Sequence, residues 1–172
     1  MASTVCFAKE KIIDGVQKYF YDTGELWAEK LYKDGRQNEI SREYHKNGKI
    51  SKECNYVNGK KDGIYKIYFE NGQLKEEWPF IMDKLNSEYK KYYESGEIFE
   101  IGNLRNGNSY GPYKMYYEDG QLKEEGQMKN DKPYGPIKKY DRNGKLVEWG
   151  VFDGKDYSYI QLPDGMETPN EK

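Results

Sequence analysis

One histidine and two cysteines are scattered through 172 residues, and nowhere do 18 apolar residues run together. Each scarcity closes off a class of protein. His45, the single imidazole, stands in an aromatic column and reads as a sheet residue, so no serine or cysteine triad can be assembled elsewhere, and no set of side chains has metal-ligand spacing. The short apolar runs exclude a membrane-spanning helix. Met1 to Glu10 lack the apolar stretch of roughly 7–15 residues that marks a signal peptide, so a cytoplasmic protein is expected. No Gly-x-Gly-x-x-Gly or phosphate-binding loop occurs, and no cofactor is implied. Lys and Arg number 28 against 30 Asp and Glu, a net charge of -2 with no basic stripe, which argues against a nucleic-acid partner.

Hydrophobic residues make up only 35% and charged residues 34%, a polarity that usually accompanies disorder. The aromatic content opposes that reading: Tyr 18, Phe 6 and Trp 3 supply far more ring than a solvated coil carries. A thin scaffold held by aromatic side chains is expected instead of a large core.

A glycine followed two residues later by Leu or Ile recurs at Gly24, Gly48, Gly72, Gly96, Gly120 and Gly144, always 24 residues apart. With these glycines as position zero, other columns align. At minus four stand Phe20, Tyr44, Tyr68, Tyr92, Tyr116 and Tyr140. At minus six stands a base every time: Lys18, Arg42, Lys66, Lys90, Lys114 and Lys138. Asn-Gly and Asp-Gly before strand-forming flanks favour two-residue type I′ turns, so each repeat reads as a β-hairpin. A second turn at Asp34-Gly35, Asn58-Gly59, Asn106-Gly107 and Asp153-Gly154 joins it to the next, and Gly111-Pro112 and Gly135-Pro136 punctuate the later connections.

A two-residue turn sets the pairing. Minus six faces plus five, matching Lys18 with Glu29, Arg42 with Glu53, Lys66 with Glu77 and Lys114 with Glu125. Minus seven faces plus six, laying Tyr89 over Gly102 and Tyr113 over Gly126, where a ring shields exposed backbone. Minus three faces plus two, pairing Tyr21 with Leu26, Phe69 with Leu74, Tyr93 with Ile98 and Tyr117 with Leu122. By alternation one face then collects minus seven, minus three, plus two and plus eight and is apolar. The other collects Lys, Tyr and Glu at minus six, minus four and plus five.

The expected fold is therefore all-β: a single elongated, twisted antiparallel sheet of about six consecutive hairpins. Residues 1–13 form an N-terminal half-repeat, 14–154 the array, and 155–172 a cap strand and loose tail. The ribbon would hold about thirteen strands over ~60 Å and curl into a concave side. Cys6 and Cys54 share one column about four strands apart, or ~19 Å, too far for a disulfide, so free thiols and a reducing compartment are expected.

The unit Tyr116-Tyr117-Glu118-Asp119-Gly120-Gln121-Leu122-Lys123, followed by a short strand and a second turn, resembles the MORN variant repeat over residues 14 to 154. Asp83 and Asp131 depart from it by replacing the second glycine, and Asn38-Glu39 by replacing the repeat's opening Asp-Gly. Proteins of this kind include YwqK-type antitoxins and immunity-like proteins of bacteria. The resemblance implies a non-enzymatic protein that binds and blocks a toxin.

Contacts are expected from Tyr65, Phe69, Tyr89, Tyr93, Tyr113 and Tyr117, with Glu76, Glu100 and Glu124 on the same face drawing in a basic partner such as a nuclease toxin. Two other readings stand beside this one. A carbohydrate- or cell-wall-binding module would use aromatic cages, but Trp27, Trp78 and Trp149 occupy three different columns. A membrane-surface scaffold gains nothing from weak net acidity.

Overall fold

A computed structural model describes residues 14–152 and 157–161. The N-terminal half-repeat of residues 1–13 with Cys6, the Asp153-Gly154 turn and the tail from residue 162, all given roles above, lie outside the described residues. Within them there is one open antiparallel sheet and no helix. Its strands are β1 (Gly15–Phe20), β2 (Leu26–Lys33), β3 (Arg36–Gln37), β4 (Glu39–Tyr44), β5 (Ile50–Val57), β6 (Lys60–Lys61), β7 (Gly63–Tyr68), β8 (Leu74–Ile81) and β9 (Lys84–Leu85). They continue as β10 (Ser87–Tyr92), β11 (Ile98–Arg105), β12 (Asn108–Tyr116), β13 (Leu122–Lys129), β14 (Lys132–Pro133), β15 (Gly135–Tyr140), β16 (Leu146–Phe152) and β17 (Tyr157–Gln161). Twelve of these seventeen strands are the six expected hairpins, β17 falls in the expected C-terminal cap, and β3, β6, β9 and β14 are two-residue ladders at the second turns. Gly111-Pro112 and Gly135-Pro136, expected between strands, lie inside β12 and at the start of β15.

Through most of each hairpin the register is the expected one. Lys18 pairs with Glu29, Arg42 with Glu53, Lys66 with Glu77 and Lys114 with Glu125. Toward the zero glycine it differs. Phe20 pairs with Leu26, Tyr68 with Leu74, Tyr92 with Ile98 and Tyr116 with Leu122, after a bulge in every hairpin. The pairings expected for Tyr21, Phe69, Tyr93 and Tyr117 are therefore corrected by one residue.

The cause is the turn. Gly72 N–H donates to Phe69 O at 2.9 Å and Phe69 N–H to Gln73 O at 2.8 Å, and the same pair of bonds recurs around Gly24, Gly48, Gly96, Gly120 and Gly144. In each of these turns the glycine alone has positive φ, such as 90° at Gly72. That is a three-residue loop, a type I turn closed by a glycine bulge, rather than a two-residue type I′ turn. The residue before the glycine serves through its side chain: Asn47, Asn71 and Asp119 Oδ1 accept the amides of Lys49, Gln73 and Gln121. Type I′ geometry appears instead at the second turns, where Asp34-Gly35, Asn58-Gly59, Met82-Asp83, Asn106-Gly107 and Asn130-Asp131 have positive φ at both positions.

The bulge also moves a column. Cross-strand partners share a face, so Leu26, Ile50, Leu74, Ile98, Leu122 and Leu146 join the minus-four tyrosines on the side that carries Lys and Glu. That side is consequently an ionic stripe flanked by apolar rows, not a purely charged surface. Most buried side chains sit on the other face, Ala28, Ser41, Cys54, Tyr89, Leu104 and Ile137, while Pro79 is buried on the ionic side opposite Ile64.

A further column recurs nine residues before each zero glycine. Gly15, Gly63, Gly111 and Gly135 have positive φ there, and so do Glu39 at 58° and Ser87 at 83°. An L-residue in this region costs about 1–2 kcal/mol, part of which glycine returns as lost chain entropy. Glu39→Gly is expected to raise stability by roughly 0.5–1 kcal/mol. The check is a higher urea midpoint at unchanged m-value; a lower midpoint would show that the Glu39 side chain makes contacts outweighing its backbone strain.

Candidate functional site: the aromatic face

Every ring expected to meet a partner belongs to the face that carries the buried residues. The minus-seven tyrosines cross to the opposite strand as expected. Tyr89 pairs with Gly102, Tyr113 with Gly126 and Tyr65 with Trp78. Their hydroxyls then reach the plus-four glutamates: Tyr89 donates to Glu100, and Tyr113 donates to Glu124 at 2.7 Å. In the third repeat Trp78 Nε1 donates to Glu76 at 2.7 Å. Trp78 stacks on Tyr89 with centroids 4.8 Å apart, and Tyr65 meets Phe80 edge-on at 6.1 Å. Burial, then the bond to Glu100, pushes the Tyr89 phenol up.

The minus-three rings lie at the turn end of this face. Phe69 and Tyr117 face Lys75 and Lys123, and Tyr93 meets Phe99 edge-on at 5.2 Å. Their backbone partners are at plus one, and the side chains that meet these rings come from plus three. The tyrosines of this column also tie their repeats to the next: Tyr21, Tyr93 and Tyr117 hydroxyls donate to the carbonyls of Tyr44, Tyr116 and Tyr140. His45 Nε2 lies 3.0 Å from Tyr68 O. A carbonyl only accepts, so Nε2 carries the proton, and His45 performs the same structural duty.

The three carboxylates differ in residual charge. Glu100 is neutralised by Lys91 at 2.8 Å, whereas Glu76 and Glu124 accept hydrogen bonds from neutral donors, Trp78 and Tyr113. Of the nine predicted contact residues, Tyr89 is buried at 6% exposure and the other eight are half-buried. Basic side chains lie over several rings: Lys61 is 4.1 Å from the Tyr65 centroid, and Arg142 is 4.8 Å from that of Tyr117.

Sequence reasoning missed the repeat-to-repeat bonds of the other face. Tyr44, Tyr92 and Tyr140 hydroxyls donate to Glu29, Glu77 and Glu125 of the preceding repeat at 2.7–2.9 Å. The signal was present: a glutamate stands 15 residues before each of these tyrosines, and Ile101 occupies that place before Tyr116. Cys54 is free and buried, and burial pushes its thiol up to about 11, a poor nucleophile. Among the described residues no group of His, Cys, Asp and Glu could hold a metal ion.

Hairpins of one length, each bonded only to its sequence neighbours in a single layer, define a β-hairpin repeat scaffold. The profile of the MORN repeat variant matches residues 13–34, 40–58, 61–82, 85–106 and 110–130, and the chain belongs to that family, which is not typically enzymatic. The hairpin from Gly135 to Phe152, beyond the matched segments, has the same register and bulge. No curated protein matches the chain. Among solved structures, an S. aureus TarM mutant in complex with fondaparinux, alpha-GlcNAc-glycerol and UDP aligns over 62% of this chain at 13% identity with a TM-score of 0.40. The alignment spans 21% of that protein's length, and the likeness is too slight to carry an argument.

Proposed function

We propose that the chain is a non-enzymatic protein-binding scaffold of the antitoxin or immunity type, acting in the bacterial cytoplasm by occluding a toxin with its aromatic face. One observation carries the reading. The sheet is a single layer among the described residues, so Tyr65, Phe69, Tyr93, Tyr113 and Tyr117 stay half-exposed on one surface with no second layer above them. Tyrosine gives large contact area at small entropic cost. Tyr89, buried beneath its neighbours, backs these rings rather than touching the partner. Glu76, Glu100 and Glu124 hold rings in place, and Glu76 and Glu124 keep negative charge that favours a basic partner.

The test is capture of a protein from the native host, followed by its co-expression with and without this chain. A captured protein that arrests growth alone and is silenced by the chain supports the reading. Tyr93→Ala with Tyr117→Ala is expected to weaken capture about thirtyfold or more, as loss of an aromatic anchor worth about 2 kcal/mol would. Ile64→Ser on the opposite face should leave capture unchanged, with circular dichroism confirming the sheet in each variant. Capture of no specific protein, or of one without toxicity, would overturn the antitoxin reading.

A further inference from the structure

The Tyr and Phe of the minus-three column follow one rule with one exception. Tyr21 lies under Lys46, Phe69 under Lys75, and Tyr117 under both Lys123 and Arg142, with 4.8–5.6 Å between ring centroid and charge. Cations at this distance are attracted to a ring face. They come from two places. Lys75 and Lys123 stand three residues after their own zero glycine, and Lys46 and Arg142 stand two residues before the next one. Tyr93 is the exception: its repeat has Phe99 at the first place and Glu118 at the second.

Tyr93 is anchored by its hydroxyl on Tyr116 O at 2.8 Å, and Phe99 meets it edge-on with centroids 5.2 Å apart and planes at 73°. Both rings are half-buried and Glu118 is exposed. Among the described residues, no cation is seated on either ring and no base pairs with Glu118. Burial first, then the charge of Glu118, holds the Tyr93 phenol above its ordinary value, which marks this carboxylate as the ring's nearest acid; Arg142 acts in the opposite sense. Arg142 itself shows what completes such an arrangement. Its guanidinium lies 4.8 Å from the Tyr117 centroid while Nη1 reaches Asp119 Oδ2 at 3.1 Å. A guanidinium is planar and weakly hydrated, so it stacks on a ring and bonds a carboxylate at once. A hard metal ion would need several oxygen ligands, and Glu118 supplies one carboxylate.

We infer that Tyr93, Phe99 and Glu118 form a seat for an arginine side chain supplied by a protein partner, with the guanidinium on the Tyr93 ring and paired with Glu118. The other repeats fill the corresponding place with a cation of their own, and this one offers a carboxylate there instead. The inference rests on the aromatic face being a binding surface and not on the partner's being a toxin.

A dye-labelled Gly–Ser peptide carrying arginines tests this by fluorescence anisotropy against the full chain, with citrulline in place of arginine as the neutral reference. The arginine peptide should bind about tenfold more tightly than the citrulline peptide. Glu118→Arg supplies from the chain itself the cation that Arg142 gives Tyr117, so it should abolish that difference. Phe99→Lys, which copies Lys75 and Lys123, should do the same. Glu70→Arg makes the same charge change four strands and ~19 Å away, beyond the screening length of about 8 Å at physiological salt, and should leave the difference nearly intact. Circular dichroism confirms the sheet in each variant. Equal affinity for arginine and citrulline peptides, or equal loss in Glu118→Arg and Glu70→Arg, overturns the inference. A captured toxin whose binding survives both Glu118→Arg and Phe99→Lys overturns it too, while leaving the antitoxin reading in place; an arginine seat in a chain that silences no toxin does the reverse.

Discussion

Gly102→Ala is expected to destabilise the protein by about 2–3 kcal/mol, although alanine ordinarily improves on glycine within a strand. The methyl group would stand 2.5 Å from Cζ and the hydroxyl oxygen of Tyr89. That ring has nowhere to go. It is 6% exposed, stacked on Trp78 at 4.8 Å and bonded through its hydroxyl to Glu100. Moving it breaks the stack and leaves the carboxylate with Lys91 as its partner. Gly126→Ala is the milder relative, since its methyl would meet Tyr113 and Ile137 at 2.9 Å. Urea denaturation of both variants checks the order. Gly102→Ala in a Tyr89→Leu background should cost much less than in the parent, isolating the ring as the cause. A neutral Gly102→Ala would mean that Tyr89 does not lie over the glycine.

Alkaline unfolding between about pH 10 and pH 12 is the second large effect expected. Burial first, and for Tyr92 and Tyr140 then the bonds to Glu77 and Glu125, pushes Tyr32, Tyr56, Tyr92 and Tyr140 up to about 12. Tyr44, Tyr65, Tyr68, Tyr89 and Tyr93 move the same way. In the unfolded chain these phenols titrate near 10. Above that pH the unfolded state has released protons that the folded state still holds, so stability falls as pH rises. The contribution is complete below about pH 10 and is lost through the folded values near 12. Each strongly shifted tyrosine adds at most about 1.4 kcal/mol per pH unit, less after solvent screening, but several titrate together. Tyrosinate absorbance should lag and then rise together with loss of the far-ultraviolet sheet signal. Tyr92→Phe with Tyr140→Phe should make the fall shallower. Independent titration of all tyrosines near pH 10 with the sheet intact would refute the burial described for these rings.

Why some of this was legible and some not follows from particular residues. Lys18–Glu29 and Tyr89–Gly102 could be paired from the sequence because a hairpin is local: once two strands are known, arithmetic supplies the partners. The zero turns misled because Asn-Gly suits two geometries. At Asn58-Gly59 both residues take positive φ, whereas at Asn71-Gly72 the asparagine keeps a negative φ and spends its side chain on the Gln73 amide. That difference of one residue carried Leu74 and its equivalents to the opposite face.

The contact residues were read as a partner surface, and the structure places all of them on one face. It also shows that Glu76, Glu100 and Glu124 hold rings, which no linear pattern reveals. Met82 went unnoticed because its anomaly is conformational, a positive φ at the first position of a second turn.

From the amino-acid order alone came the period, the all-β hairpin architecture and most of the register, because each depends on residues close together in the chain. Only the folded sheet decided the loop geometry, the side on which each aliphatic column falls and the bonds between successive repeats. Those depend on where a backbone kink sends the following side chains, and on polar groups that meet only after neighbouring hairpins have paired.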